Sequence, residues 1–331
     1  WEPMSGRVTG FKIIPYTVLG RPRVDVTLRI SGFFRDAFPY QVDLIDRAIQ
    51  RVAGLDEPEK FNPLAASATA EKMNLSTSGA GPEIAFRRST ARIFGSKPGA
   101  YGAGLQTLID EGIWETQEDF ATAYLKWGSF VYGSNLEGVT EEELFRSRLS
   151  KVQVVLHNQD NREHDILDSD DYYQFHGGAV AAVHQFSGVQ PTVYHGDHSR
   201  PFAPKIRKLE EELARVVRGR AVNPKWIAGV MRHGYKGAFE IAATVDYLFA
   251  FAATSGCVAD HHFDAVYEAY VENEEVQNFL KKENIDAFND IIKRLIEAQQ
   301  RELWKPNRNS IGAQLVCLLY TSPSPRDSDT S

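Results

Sequence analysis

The chain has 331 residues, of which 43% are hydrophobic and 24% charged, as is ordinary for a soluble globular protein. Its 37 basic and 44 acidic residues give a net charge of −7, which argues against nucleic acid or an anionic membrane surface as the main partner. Cys257 and Cys317 form no CxxC pair, which argues against a disulfide framework or a thiolate zinc site and fits a reducing cytoplasm. No run approaches the ~20 apolar residues of a membrane span.

The two ends of the sequence differ from the rest. The first residue is Trp1 and not an initiator Met, so we expect that an upstream portion is missing. After Leu315 the composition changes abruptly to a Ser-, Pro- and Asp-rich stretch. Because such a composition does not support a packed core, residues 316–331 are predicted to be a disordered tail of artefactual origin.

The first part of the chain predicts an α/β segment over residues 1–75. Val24–Ile30 alternates apolar and polar residues as a half-buried strand does, and residues 37–53 carry an apolar stripe of helical spacing. Asn62-Pro63 predicts a helix start, since Asn caps helices and Pro is tolerated in the first turn. Small residues then predict a linker over residues 76–90.

Residues 91–315 predict a second region that is mostly helical. A glycine-rich stretch opens it, and two short strands are predicted at Lys151–Leu156 and Thr192–Tyr194. The main helices before the last third are predicted over residues 105–110, 118–132, 141–149 and 170–186. The remainder is helical, so the fold class is a helix-rich mixed α/β protein with few strands.

Histidine and carboxylate residues concentrate in the second half of the chain. All nine histidines lie there, six of them between His157 and His198, together with seven aspartates and glutamates. Neutral imidazole and carboxylate are the usual ligands of divalent first-row metals, and both accept protons near neutral pH. This window is therefore the predicted site for metal handling and proton transfer.

Structural roles compete with this interpretation for each group. His195 and His198 form an HxxH pattern on a predicted loop, which has ligand character but is often structural. Asp168 or Asp170 is placed to cap the helix that follows. His176 precedes two glycines that allow close approach of a ligand, but it is also consistent with one polar position on an amphipathic helix. His261-His262 is predicted to be a solvated cap.

A second group of candidates lies outside that window. The loop Gly95–Gly104 offers backbone N–H groups and Lys97 to an acidic group, although it matches no known phosphate-binding pattern and is also consistent with a bent connection. Arg35 and Asp36 stand at a helix start, where an internal ion pair is the structural alternative. His233 lies between aromatic residues. The chain has no Walker A sequence, so energy from ATP has to arrive through a partner.

The sequence strings from Arg92 to Trp304 resemble the C-terminal part of the CobN/magnesium chelatase large-subunit family, and Ser31–Pro58 fits as well. The strings that carry the resemblance are RIFGSKPGAYGAGLQTLIDE, NQDNREHDILDSDDYYQFHGG, VYHGDHSRP, NPKWIAGVMRHGYKGAFEIAATVDYLFAFAATSG and DHHFD. The magnesium branch shares a sparser skeleton. HGDHSRP and REHDILDSDDYYQF resemble the cobalt branch, and the choice of cobalt depends on them.

The resemblance implies the C-terminal portion of a class I chelatase large subunit. It implies an aerobic-pathway cobalamin enzyme of the cytoplasm that forms nitrogen–metal bonds by inserting Co²⁺, its substrate metal, into hydrogenobyrinic acid a,c-diamide. Two smaller AAA+-related subunits hydrolyse ATP with Mg²⁺, and a fragment is expected to be inactive alone. The alternatives are a magnesium chelatase subunit, which the histidine-rich window disfavours because Mg²⁺ prefers oxygen ligands, and a non-catalytic tetrapyrrole-binding scaffold.

Roles are assigned to individual residues on this basis. The expected metal ligands are His195, His198 and His157. The expected catalytic, proton-accepting or metal-handling residues are Asp168, Asp170, His176, Glu163 and His164. Two further roles are expected, namely basic side chains that bind the carboxylates of the corrinoid and aromatic rings that line its flat face. The residues expected to fill them are Arg35, Lys97, Tyr101, Lys225, Trp226, Arg232, His233 and Tyr235.

Overall fold

The structure is a computed structural model that describes residues 2–4, 7–160, 163–200 and 202–321. The chain divides into two compact units. The first unit comprises Trp1–Leu105, Ala121–Val152 and Ala182–Val189, and the second comprises Gln106–Phe120, Gln153–Ala181 and Gln190–Ser331.

The elements up to residue 149 alternate between short strands and helices. In chain order they are β1 (Glu2–Met4), β2 (Arg7–Gly10), α1 (Tyr16–Leu19), β3 (Leu28–Arg29), α2 (Gly32–Ala37), α3 (Pro39–Ala53), α4 (Pro63–Thr77), α5 (Pro82–Thr90), β4 (Ile93–Gly95), α6 (Gln106–Asp110), α7 (Gln117–Gly128), β5 (Phe130–Gly133), β6 (Leu136–Thr140) and α8 (Glu142–Leu149).

The remaining elements are mostly helices, and the described ranges include three π-helical turns. They are β7 (Val154–Gln159), α9 (Asp170–Tyr172), the π-helical turn Tyr173–Gly177, α10 (Gly178–Ser187), β8 (Thr192–Asp197), β9 (Lys205–Lys208), α11 (Leu209–Val216), the turn Val217–Ala221, α12 (Pro224–Met231), α13 (Tyr235–Ser255), α14 (Asp260–Tyr267), the turn Glu268–Glu272, α15 (Glu274–Glu283), α16 (Ile285–Gln300) and α17 (Ile311–Thr321). The predicted fold class, a helix-rich mixed α/β protein with few strands, is confirmed.

The first unit is organised around a small sheet with strand order β3-β4-β5-β6. β3 runs parallel to β4, and the other neighbours are antiparallel. Val42 of α3 packs with Ile93 and Tyr132 of the sheet in an apolar cluster. The ring of Phe94 stacks on Phe145 of α8 with centroids 4.5 Å apart. Helix and sheet therefore bury one common apolar layer, as the amphipathic pattern of α3 requires.

The second unit combines a three-stranded sheet with long helices. β7 is parallel to β8, and β8 is antiparallel to β9. The central helix α13 packs against α16 and buries apolar side chains along most of its length. Asn223 and Asn284 cap α12 and α16 by accepting hydrogen bonds from backbone N–H groups of the first turn, which is the role that Asn-Pro predicts at the start of α12.

Helix α13 is also long and apolar enough to cross a membrane, and it is the one helix in the described ranges of which this is true. In the structure 72% of its most apolar stretch is buried inside the protein. An apolar helix that is covered by other helices is typical of a protein core.

Several predicted elements need correction in the first unit. The strand predicted at Val24–Ile30 has only Leu28–Arg29 in a ladder, because Val24 and Val26 are exposed. The helix predicted at residues 118–132 ends at Gly128, where a Cβ would lie 2.8 Å from the guanidinium of Arg29. Phe130–Gly133 is a strand paired on both sides, and pairing partners distant in sequence override a helical pattern.

The predicted boundaries also differ from the elements found. The predicted linker at 76–90 contains the end of α4 and the whole of α5, so that only residues 78–81 lie outside helices. The tail predicted from residue 316 begins inside α17, which continues to Thr321. Buried Ile311 and Leu315 anchor that helix, and a composition-based prediction does not detect such packing. Residues 322–331 lie outside the described residues.

Candidate functional site

Three histidines from three different elements lie together in the second unit. His157 of β7 and His195 of β8 are direct partners in the parallel ladder, and their ring centroids are 6.2 Å apart. His176, in the π-helical turn Tyr173–Gly177, has its ring centroid 5.3 Å from that of His157 and 6.4 Å from that of His195. We call these three residues the histidine cluster.

Local structure explains why these side chains meet. Side chains alternate between the two faces of a strand, so aligned residues of neighbouring strands share one face, and the β7–β8 register puts His157 and His195 on the same face. Ser169 caps α9 by accepting a hydrogen bond from Asp171 N–H, and the π-helical turn that follows carries His176. π-Helical turns are frequent at functional sites.

Gly177 allows this turn to approach the core helix. A Cβ at this position would lie 2.1 Å from the Oγ1 atom of Thr254 in α13. Any larger residue would therefore push the turn, and His176 with it, away from α13. The double glycine after His176 thus permits close approach of another backbone element.

The cluster is shielded from water and unusually short of hydrogen bonds. His176 and His195 are buried, and neither ring nitrogen of either residue has a hydrogen-bond partner among the described residues. Because nearly all buried polar groups are paired, four unpaired nitrogens in one place call for a functional explanation. Each of these two neutral rings has one nitrogen with a lone pair that can bind a metal ion.

Burial keeps these histidines in the neutral form. It lowers the pKa of His157 to about 4, with a smaller contribution from His195. The pKa of His176 is lowered well below its usual value, first by burial and then by the two neighbouring imidazoles. The pKa of His195 is lowered by burial, against the opposing attraction of Glu212 and Asp197. Neutral imidazoles with available lone pairs are the form that binds metal ions.

The three imidazole rings lie close together, but their nitrogens do not point at one common position. Within the described ranges no group of three or more His, Cys, Asp or Glu side chains is placed to hold a metal ion as it stands. The planes of His157 and His195 differ by only 13°. Because metal–imidazole nitrogen distances are about 2.0–2.1 Å, the rings have to turn towards one another before they bind one ion.

Aromatic side chains form walls around the cluster. The ring of Tyr172 meets that of His157 edge-on with centroids 5.5 Å apart. Phe251 of α13 lies perpendicular to His176 at 6.3 Å. These rings cover His157 and His176 with apolar surface, and the lower local dielectric there strengthens interactions with charge.

The structure separates the predicted HxxH pair. His195 lies in β8 and not on a loop, and it belongs to the histidine cluster. His198 follows the strand, and its Nε2 atom lies 3.1 Å from the position of a Cβ on Gly196. Since Gly196 faces the opposite side of the sheet from His195, His198 is directed away from the cluster. The third member of the cluster is therefore His176, which was predicted as a catalytic residue, and not His198, which was predicted as a metal ligand.

The other predicted acid–base residues of this window make separate local contacts. His164 Nδ1 lies 3.0 Å from Asp168 Oδ2, with both side chains about half exposed. Asp170 accepts a hydrogen bond of 2.8 Å from Gln174. Glu163 is exposed. Neither predicted aspartate caps α9, because Ser169 does so.

The predicted substrate residues of the first unit organise one loop. The Arg35 guanidinium forms a two-point ion pair with Asp36 and donates to the carbonyls of Ser96, Lys97 and Ala100. Tyr101 donates its phenol hydrogen to Asp36 at 2.7 Å. The Lys97 side chain remains exposed. The internal ion pair named as the structural alternative for Arg35 is therefore present, and its guanidinium is engaged within the protein.

The predicted substrate residues of the second unit line the surface near the start of α12 and α13. Arg232, His233 and Tyr235 are exposed, as is Lys225. Trp226 is partly buried and carries the guanidinium of Arg220 over its ring, 4.9 Å from the centroid. That ring face is therefore occupied, whereas the exposed residues are open to a ligand.

Two features went unpredicted. Arg220 makes a two-point ion pair with Asp165, which ties the loop before α9 to the turn Val217–Ala221. Glu212 is a buried acid on the side of His195. The sequence does not single out Glu212, because it is one of three consecutive glutamates, residues 210–212.

The second unit contains a cleft with a volume of about 390 Å³, and no residue of the histidine cluster lines it. It is formed by α12, the turn Glu268–Glu272 and the start of α15, and most of its lining is apolar. The lining includes Pro224, Ile227, Met231 and Val276. None of the predicted site residues lines it.

Comparison with known proteins reveals relatives along almost the whole chain. The family model CobN/Magnesium Chelatase matches residues 1–311. The chain is 58% identical to the aerobic cobaltochelatase subunit CobN of Sinorhizobium sp. over 96% of this chain and 25% of that protein. It is 55% identical to the aerobic cobaltochelatase subunit CobN of Pseudomonas aeruginosa over 92% of this chain and 24% of that protein.

The fold is also similar to a solved structure. The catalytic subunit of cobaltochelatase from Mycobacterium tuberculosis superposes with a TM-score of 0.90 and 45% identity, over 97% of this chain and 27% of that one. The chain spans about a quarter of the length of the curated relatives it matches. The match of the family model and of these relatives shows that the chain belongs to the CobN/magnesium chelatase family, a family of metal chelatases.

Proposed function

We propose that this chain is the metal-handling part of the large subunit of an ATP-dependent cobaltochelatase. The substrates are Co²⁺ and hydrogenobyrinic acid a,c-diamide, and the reaction belongs to aerobic cobalamin biosynthesis in the cytoplasm. Two smaller AAA+-related subunits hydrolyse ATP with Mg²⁺, since this chain has no Walker A sequence. The observation that carries the proposal is the histidine cluster, in which the buried ring nitrogens of His176 and His195 lack hydrogen-bond partners among the described residues.

The donor set of the cluster suits cobalt(II). Neutral imidazole binds first-row metals such as Co²⁺ well, whereas thiolate holds them more tightly. Burial raises the pKa of the Cys257 thiol to about 11, so this residue offers no thiolate. An imidazole site therefore binds Co²⁺ firmly enough for delivery and leaves the ion exchangeable.

Insertion also replaces an inner N–H proton of the ring by the metal ion, so a base must accept that proton. Burial lowers the pKa of His157 and of His176, which makes both imidazoles weak proton acceptors near neutral pH, because a general base works best with a pKa near the operating pH. The proposed role of the histidine cluster is therefore to hold and release the metal ion.

The experiment that tests this proposal measures cobalt insertion. The complete large subunit is combined with both smaller subunits, ATP, Co²⁺ and hydrogenobyrinic acid a,c-diamide. We expect His157→Ala, His176→Ala and His195→Ala each to lower the insertion rate at least about tenfold, because each removes a ligand. His261→Ala, an exposed histidine outside the cluster, is the matched control and should insert cobalt at the normal rate.

Three results would contradict the proposal. Normal insertion by all three cluster variants would remove the cluster from the reaction. Faster insertion of Mg²⁺ than of Co²⁺ would favour the magnesium branch, although a site of imidazoles disfavours Mg²⁺, which prefers oxygen ligands. Binding of the macrocycle without turnover, with both partners and ATP present, would favour a scaffold role. His198→Ala separates the two histidines of the HxxH pattern, and we expect it to retain activity.

A further inference from the structure

A buried carboxylate lies beside the histidine cluster and has no role in the reaction outlined above. Glu210, Glu211 and Glu212 form the first turn of α11, but only Glu212 is buried, at 2% exposure. Its carboxylate accepts hydrogen bonds from Arg207 Nη1 at 3.1 Å and from Arg215 Nε and Nη2 at 2.9 and 2.5 Å. Both carboxylate oxygens are thus held in a fixed orientation by two guanidinium groups.

Sheet register places this group next to the cluster. Arg207 of β9 is the direct partner of His195 in the antiparallel ladder, so the two side chains project from the same face of the sheet. Arg207 binds Glu212 on that face, and α11 packs against both β8 and β9. The attraction between Glu212 and His195 accordingly acts on the pKa of both residues.

The charges around His195 are balanced in the absence of a metal ion. Asp197 lies 4.0 Å from Arg207, so two acids, Asp197 and Glu212, face two bases, Arg207 and Arg215. The formal sum of these four charges is zero. Removing one acid leaves a net positive charge beside the histidines, and removing one base leaves a net negative charge.

A dication held by neutral imidazoles needs compensating negative charge in a water-poor site. Moving a cation out of water is costly unless opposite charge lies nearby. Within the described ranges no set of three or more His, Cys, Asp or Glu side chains, with or without a carboxylate, is placed to hold a metal ion as it stands. Glu212 is the buried acid that attracts His195 most strongly, and carboxylates outside the ligand shell commonly orient histidine ligands and raise metal affinity.

We propose that Glu212 is a positioning residue for a divalent cation on the histidine cluster: its carboxylate, held in place by Arg207 and Arg215, cancels guanidinium charge beside His195 that would otherwise repel the cation. This inference rests on the proposed metal-handling role of the cluster. The alternative is that the Glu212–Arg215 pair serves only to fasten α11 to the sheet, as buried ion pairs often do.

The direction in which two substitutions change the affinity for Co²⁺ distinguishes these roles. Co²⁺ alone is titrated into the protein, and binding is followed by its visible absorption spectrum. We expect Glu212→Gln to weaken Co²⁺ binding about 10- to 100-fold, the usual effect of losing an outer carboxylate. Arg215→Gln should strengthen binding several-fold, because it leaves excess negative charge. Glu210→Gln, an exposed neighbour, is the matched control and should bind as the unsubstituted protein does.

A merely structural role predicts a different pattern. If the pair only fastens α11, both substitutions lower thermal stability and weaken Co²⁺ binding in the same direction, which overturns the inference. Should Glu212→Gln fail to fold, the gain expected for Arg215→Gln still decides the question, and unchanged or weaker binding by that variant counts against it. If His195→Ala leaves Co²⁺ binding unchanged, the proposed function itself fails. If His195→Ala weakens binding and Glu212→Gln does not, only this inference fails.

Discussion

Gly177 is a residue at which backbone packing and the site depend on each other. It follows His176 at the end of the π-helical turn, and the space that a Cβ would need is taken by Thr254 of α13. Thr254 is fully buried, and its hydroxyl donates to the carbonyl of Ala250. The threonine therefore cannot move aside without breaking its own hydrogen bond, and the glycine sets how closely His176 approaches the core.

This contact leads to a prediction for Gly177→Ala. The added methyl group overpacks the contact with Thr254, so we expect the free energy of unfolding to fall by about 1–3 kcal/mol and Co²⁺ binding to weaken as His176 is displaced. Gly219→Ala, in another π-helical turn with open space around the glycine, is the control and should be neutral or slightly stabilising. Chemical denaturation measures both. Equal effects of the two substitutions would show that the close approach has no energetic consequence.

At the scale of elements, α17 is a helix whose extent is set by packing and was not predicted from composition. Ile311 and Leu315 are fully buried, α17 packs on α16, and Tyr267 donates its phenol hydrogen to Gln314 at 2.9 Å. Val316, where the change in composition begins, is largely exposed. The first turn and its contacts therefore hold the helix in place.

Two neighbouring substitutions test this arrangement. Leu315→Ala should lower the free energy of unfolding by about 2–5 kcal/mol, because it leaves a cavity between α17 and α16. Val316→Ala should change it by less than about 0.5 kcal/mol, since that side chain remains in solvent. Denaturant titration of both variants gives the comparison. A loss at Val316 as large as that at Leu315 would contradict the packing of this helix.

At the scale of the whole molecule, buried histidines make folding stability depend on pH. His262, outside the cluster, accepts a hydrogen bond from Ala259 N–H through its Nδ1 atom. It therefore caps α14, as predicted for the His261-His262 pair, but it is buried and not solvated. Burial, followed by His261 and Arg218, lowers its pKa from 6.5 to about 4.

The sign of the effect follows from the two protonation states. Between pH 6.5 and about 4 the unfolded chain binds a proton at His262 that the folded protein does not bind, so stability falls as the pH is lowered through this range. Buried carboxylates with raised pKa values, including Asp46 and Asp246, act in the opposite direction. Comparing the free energy of unfolding of the unsubstituted protein with that of a variant at position 262 separates the effect of His262 from that of these carboxylates.

His262→Gln provides that difference. Glutamine is a favoured residue at this capping position and keeps an acceptor for the Ala259 N–H group, but it does not titrate. We expect the variant to gain stability relative to the unsubstituted protein as the pH falls from 7 to 5, on the order of 1–3 kcal/mol. Denaturant unfolding at several pH values measures this gain. A difference that stays constant with pH would mean that the pKa of His262 is not lowered.

Local patterns predicted a good part of the fold. The stripe of α3, the Asn cap of α4 and the strand at Thr192 all follow from neighbouring residues. Local patterns predicted neither the strand β5 nor the late start of β3, which begins at Leu28 and not at Val24. Pairing with strands that are distant in the sequence decides both. The same holds for His198, which local spacing grouped with His195.

The sequence by itself determined the helix-rich class, the resemblance to chelatase large subunits and the window in which the chemistry is concentrated, because these depend on composition, periodicity and contiguous strings. Only the tertiary structure decided which histidines meet. The β7–β8 register aligns His157 with His195, a π-helical turn adds His176, and α11 brings Glu212 to the same face. Register and burial arise from contacts between residues far apart in the chain, which local patterns do not encode.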